Sequence, residues 1–178
     1  MMPCAFKKIN DEVFFVEDDI VRLDAQAVEF IKAKALSNDR GRARICAHRK
    51  ASDTLHEMII AIRSDSYIRP HRHHNKIESF HLIEGRADIV ILDEQGEIED
   101  VVQMGGEYCF YYRLSTPRYH TLLIHSPLLV IHEITNGPFN AEASDFAHYA
   151  PAEEETVAIK VFLKNLRTQL HAREECRV

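Results

Sequence analysis

The four cysteines, Cys4, Cys46, Cys109 and Cys176, lie far apart, and none stands in a C-x-x-C pair. That absence argues against a zinc ribbon or a thioredoxin-type redox site. The N-terminal stretch MMPCAFKKINDEVFF lacks a long apolar core, so no signal peptide is expected. The thiols are accordingly read as reduced, in a cytoplasmic protein. No apolar run approaches the ~18 residues that a membrane span needs. Basic blocks are missing as well. With 22 Lys and Arg against 28 Asp and Glu, the net charge is −6. A mildly acidic chain of this kind is a poor partner for nucleic acid or an anionic membrane. No internal repeat, linker or low-complexity stretch divides the 178 residues. That length suits one domain with a real core.

What the chain does have is histidine, and it is clustered. Of eleven histidines, three lie at His71, His73 and His74. His71-Arg72-His73 is followed by Glu78 and then Gly85, which gives H-x-H-x4-E-x6-G. Residues two apart on a strand point the same way, so His71 and His73 share a face. With a turn at Asn75 and a strand over Ile77 to Glu84, Glu78 is expected back beside that pair. His120 opens a later strand after Ser115-Thr116-Pro117-Arg118-Tyr119. Three imidazoles and one carboxylate suit Fe, Mn, Ni, Co or Zn in the divalent state. Four protein ligands leave a position open on an octahedral ion, which favours a catalytic or sensing role over a structural one.

The hydropathy pattern places these residues on a β-rich frame. Asp24 reads as the N-cap of a helix over Ala25 to Leu36, with Val28, Ile31 and Ala35 on one face and Gly41 in the closing turn. From Arg42 the period is two, and a series of short strands follows: LHEMIIAI, SYIRPHRH, ESFHLIEG, RADIVILD, GEYCFYYRL, HTLLIH and LLVIHEI. Such a series predicts an all-β barrel or sandwich. A second helix is expected after Pro151, with Val157, Val161 and Leu163 among charged positions. The layout is one domain: an N-terminal extension over 1–41, a β-barrel over 42–150 and a C-terminal helix over 151–178.

Parity sorts the remaining polar residues. His81 and His125 point away from the proposed ligands. His74 reads as a solvated turn residue. One of His132 and Glu133 faces the interior, where a carboxylate would serve as a general base or orient an imidazole. Arg69 and Tyr67 share the parity of His71, and Arg69 is a candidate for holding an anionic substrate group. Lys76 lies in the turn, at the expected mouth. Tyr108, Phe110 and Tyr112 share one face, and the Tyr112 hydroxyl is a candidate to reach a substrate.

H-x-H-x4-E-x6-G with a distant His is the signature of the cupins, small double-stranded β-helix (jelly-roll) barrels. The segments RPHRHHNKIESFHLIEGRADIVILDEQGEI, YHTL, VIHEITNGPFN and DFAHYAPAE further resemble the WbuC family of cupin-fold metalloproteins, over about Arg42 to Glu153. The resemblance implies that His71, His73, Glu78 and His120 are metal ligands and links the chain to cell-surface polysaccharide synthesis. Three departures stand out. Asp65 occupies the place of the usual opening Gly. Ser115 and Pro117 occupy the Pro and Gly places before His120, so that turn must differ in shape. Thr135 stands where the family has Lys.

The expected function is metal-dependent isomerisation or epimerisation of a small oxygen-rich molecule, such as a sugar or nucleotide-sugar intermediate. Glu133 or Tyr112 would move the proton. The alternatives are an Fe(II)-dependent dioxygenase, a binding or sensor protein, and a barrel whose ion only stabilises the fold. A homodimer is expected, because cupin barrels leave a sheet edge uncovered. The N-terminal VFFVEDDIV segment is the candidate for crossing to the neighbour.

Overall fold

The computed structural model describes residues 5–140 and 144–175. Twelve strands and two helices follow in the order β1 (Phe6–Lys8), β2 (Val13–Val16), α1 (Ala25–Ser37), β3 (Arg42–Cys46), β4 (Leu55–Arg63), β5 (His71–His73), β6 (Glu78–Glu84), β7 (Ala87–Leu92), β8 (Ile98–Met104), β9 (Tyr111–Leu114), β10 (Tyr119–Ile124), β11 (Leu128–Asn136), β12 (Ser144–Phe146) and α2 (Thr156–Glu175). They form a seven-stranded sheet, β1-β2-β3-β4-β11-β6-β9, and a five-stranded sheet, β12-β5-β10-β7-β8.

Period-two alternation packs the two sheets face to face. Leu129 and Ile131 of β11 and Phe80 of β6 meet Ile89 and Ile91 of β7 and Leu122 of β10 in the barrel core. The opposite parity faces the helices. Val130 and Ala61 pack under α1, and Val90, Leu92 and Leu123 pack under α2. Helix α1 starts as its sequence requires: Asp24 Oδ1 accepts from the Gln26 and Ala27 amides at 2.9 and 3.1 Å. Its buried residues are Ala27, Ile31 and Ala35.

Four expectations are corrected. The strand at 66–73 is only His71–His73, since Pro70 carries no N–H for a ladder. The strand at 106–114 is only Tyr111–Leu114, so Tyr108 and Phe110 are exposed while Tyr112 is buried. In α2 Leu166 and Leu170 are buried, Leu163 and Phe162 pack partly buried against the same core, and Val157 and Val161 face outward. The N-terminal segment is strand only at Val13–Val16, with β1 on one side and β3 on the other.

Gly85 of the motif links β6 to β7 at φ +94°, a region L side chains rarely adopt, and a Cβ there would collide with Ser126 Oγ and the Leu128 carbonyl. Cys46 and Cys109 are free thiols, and Cys4 and Cys176 lie outside the described residues. No helix among the described residues is long and apolar enough to cross a membrane.

Candidate metal centre

His71, His73, Glu78 and His120 converge, each offering one ligand atom, with all four atoms within 4.8 Å of one another. The route differs from the hairpin that the spacing suggests. β5 and β6 belong to different sheets. His71 lies opposite His120 in the β5–β10 register, so the three imidazoles share the five-stranded sheet. Glu78 comes from the facing seven-stranded sheet. The altered Pro117 turn nonetheless delivers His120 to the group.

The hydrogen bonds fix which nitrogen faces inward. Nδ1 of His71 lies 2.9 Å from the Arg69 carbonyl, and Nδ1 of His120 lies 3.0 Å from the Arg118 carbonyl. A carbonyl only accepts, so both Nδ1 atoms carry a proton, and in the neutral imidazole Nε2 presents a lone pair. Nδ1 of His73 lies 2.7 Å from Ser144 Oγ.

For the neutral His120 ring this leaves an acceptor facing an acceptor. His120 Nε2 is 3.1 Å from Glu78 Oε1, and His73 Nε2 is 3.5 Å from Glu78 Oε2. The closer pair is not aligned as a hydrogen bond. Glu78 Oε1 and His120 Nε2 are both buried without a hydrogen-bond partner. Burying such atoms is costly unless something satisfies them. A divalent cation between them would satisfy both, so the donor set fits the ion that its chemistry implies.

The electrostatics show how strongly the carboxylate attracts positive charge, from a proton or from a metal ion. Burial, then the neighbouring His120, pushes His71 down to about 4, so it is neutral at pH 7. Burial would raise Glu78, but His120 and His73 outweigh it and hold the carboxyl below its usual range. Burial would lower His120, but the Glu78 carboxylate wins and raises it.

Of His132 and Glu133, Glu133 is the one on the inner face. It pairs in register with Phe80, and Phe80 with Tyr112, so Glu133 and Tyr112 flank Phe80 on the sheet facing the histidines. Burial, and then Glu78, pushes Glu133 up to about 8. Tyr112 is buried with no partner for its hydroxyl, and burial raises its phenol well above the ordinary value. The Arg69 guanidinium carbon sits 4.9 Å over the Phe146 ring, which is itself 6.4 Å from the His71 ring. Lys76 Nζ lies 5.5 Å from the centre of Phe139. Tyr67 does not share the His71 face. Its ring packs on Phe162 of α2, and its hydroxyl donates to the Pro151 carbonyl at 3.1 Å. The other histidines lie elsewhere: His74 pairs with Asp145 at 2.5 Å, His125 with Asp88 at 2.9 Å, and His81 rests on Tyr111. Ser144 was not legible in advance, because no spacing links a three-residue edge strand to a motif so far upstream.

A family described as a domain of unknown function (DUF6016) matches residues 23–104, which include three of the four converging side chains. No curated protein is significantly similar in sequence. Among solved structures, the capsular polysaccharide assembling protein CapF from Staphylococcus aureus is 18% identical with a TM-score of 0.50, over 61% of this chain and 32% of that one. The chain thus spans about a third of CapF. A Shewanella oneidensis protein is 12% identical with a TM-score of 0.49, over 70% of this chain and 78% of that one. The cupin domain of Schizosaccharomyces pombe Cnp3 is 7% identical with a TM-score of 0.42, over 53% of this chain and 64% of that one. At 18% identity the likeness to CapF is one of fold. Two facing, mostly antiparallel sheets, wound in this order around one core, have the cupin double-stranded β-helix architecture.

Proposed function

We propose that the protein is a mononuclear metalloenzyme of the WbuC group, in which His71, His73, Glu78 and His120 hold one divalent ion. The ion supplies a Lewis acid for a carbonyl or for adjacent hydroxyls of a bound molecule. The reading rests on one observation above all: the buried, unpartnered pair formed by Glu78 Oε1 and His120 Nε2.

The reaction we infer is isomerisation or epimerisation of a small sugar-like molecule. In its ionised form Glu133 would take the proton from the carbon beside the carbonyl: the C–H bond breaks, its electron pair moves onto the carbonyl oxygen as an enolate, an O–H bond forms on the carboxyl, and the proton then returns to carbon at the neighbouring position or on the opposite face. Tyr112 holds its phenolic proton toward substrate oxygen. Glu133, pushed up by burial to about 8, suits proton exchange near neutral pH, whereas Tyr112, raised well above the ordinary phenol value, keeps its proton and serves as a hydrogen-bond donor. Arg69 and Lys76 are assigned to an anionic group of the substrate. The fold likeness to CapF, whose description names capsular polysaccharide assembly, supports a role in cell-surface polysaccharide synthesis. Tyr108 and Phe110, exposed beside the edge strand β9, support a homodimer.

The test is turnover of nucleotide sugars in deuterated water, followed by NMR. Deuterium entering at the carbon beside the carbonyl is the expected result. Oxygen consumption with Fe(II) and no deuterium uptake would favour a dioxygenase instead. Sedimentation at micromolar concentration checks the dimer.

A further inference from the structure

We propose that Ser144 is a positioning residue for the metal centre: its hydroxyl oxygen holds the His73 imidazole with Nε2 turned inward. The inference rests on the metalloenzyme reading above. His71 and His120 are each held by a backbone carbonyl two residues earlier in their own segment. No side-chain substitution removes those acceptors. His73 instead bonds Ser144 Oγ at 2.7 Å, from a strand far along the chain. Its Nε2 then faces Glu78 Oε2 at 3.5 Å. With the hydroxyl accepting from Nδ1–H, the lone pair sits on Nε2, where a metal needs it.

The strand around Ser144 is built for this task. β12 pairs with β5 along its length, as Ser144 with His73, Asp145 with Arg72 and Phe146 with His71. On its other side, β5 meets β10 in register only at His71 and His120. Beyond the inner bond from Ser144, Asp145 accepts from Arg72 Nε at 3.3 Å and lies 2.5 Å from His74 Nε2. The short ligand strand is therefore clasped along one side, and among these contacts Ser144 supplies the side-chain hydrogen bond to a metal-facing imidazole.

The experiment measures Co(II) affinity by chelator competition, with the Co(II) visible spectrum, for wild type, Ser144→Ala, Ser144→Thr and Asp145→Asn. Ser144→Ala should bind about 10–100-fold more weakly with an altered spectrum. Ser144→Thr keeps a hydroxyl and should restore both. Asp145→Asn should leave the spectrum unchanged. Wild-type affinity and spectrum in Ser144→Ala would overturn the proposal. Equal losses in Ser144→Ala and Asp145→Asn would overturn it too, because strand integrity rather than the hydroxyl would then be responsible. Nitrogen NMR of the zinc-loaded wild type gives a variant-free check: His73 should be protonated at Nδ1 alone, and a proton on Nε2 contradicts the assignment. Failure of the wild type to bind Co(II) at one equivalent would instead overturn the metal centre itself.

Discussion

His120 Nε2 and Glu78 Oε1 face each other at 3.1 Å from opposite sheets of the barrel, both buried and neither hydrogen-bonded. The Arg118 carbonyl claims the proton of the imidazole on its other nitrogen. With the ring neutral, two lone-pair atoms so placed repel, and either a second proton on the imidazole or a metal ion relieves them. Adding a divalent ion should therefore stabilise the fold, by mass action on the native state. A rise in Tm with Zn(II) or Mn(II), reversed by chelator, checks this. Variant Glu78→Gln should show a much smaller rise.

Glu133 makes a pH prediction. Burial raises its folded-state carboxyl to about 8, from an ordinary value of 4.5. Below the lower value both states hold the proton, and the group costs nothing. Between the two values the unfolded chain releases its proton while the folded chain keeps it, so stability falls as pH rises. Metal-free Glu133→Gln should therefore gain stability relative to wild type from pH 5 to pH 8. Urea midpoints at the two pH values measure the difference. An equal offset at both would contradict the burial of a protonated carboxyl.

Gly85 should tolerate no side chain. Its φ of +94° and the closeness of Ser126 and Leu128 make Gly85→Ala strained and crowded. A loss of about 1–3 kcal/mol or more is expected from the backbone alone. Chemical denaturation checks it.

Asp24 serves as a control far from the ligands. Asp24→Ala removes the acceptor for the Gln26 and Ala27 amides. It should cost about 1 kcal/mol and leave metal affinity at the wild-type value. Paired denaturation and metal titration separate the two effects.

The sequence carried some of this structure plainly. Strand parity put His71 beside His73, and Asp24 marked the start of α1, because both signals are local. Parity also left one of His132 and Glu133 for the interior, and the ladder resolved it. What local pattern could not carry was the pairing of strands across the barrel. The turn after β5 looks like a hairpin, yet it crosses between sheets, which is why Glu78 arrives from across the core rather than from beside the histidines. Pro70 broke the parity that would have aligned Tyr67 with His71. Ser144 is invisible to spacing, since its role depends on which strand closes the edge.

The most direct test is the metal content of native-purified protein and of His71→Ala and His120→Ala. One equivalent of a divalent transition metal in the wild type and almost none in either variant is the predicted result. Full occupancy in both variants would mean that the four side chains do not form the site.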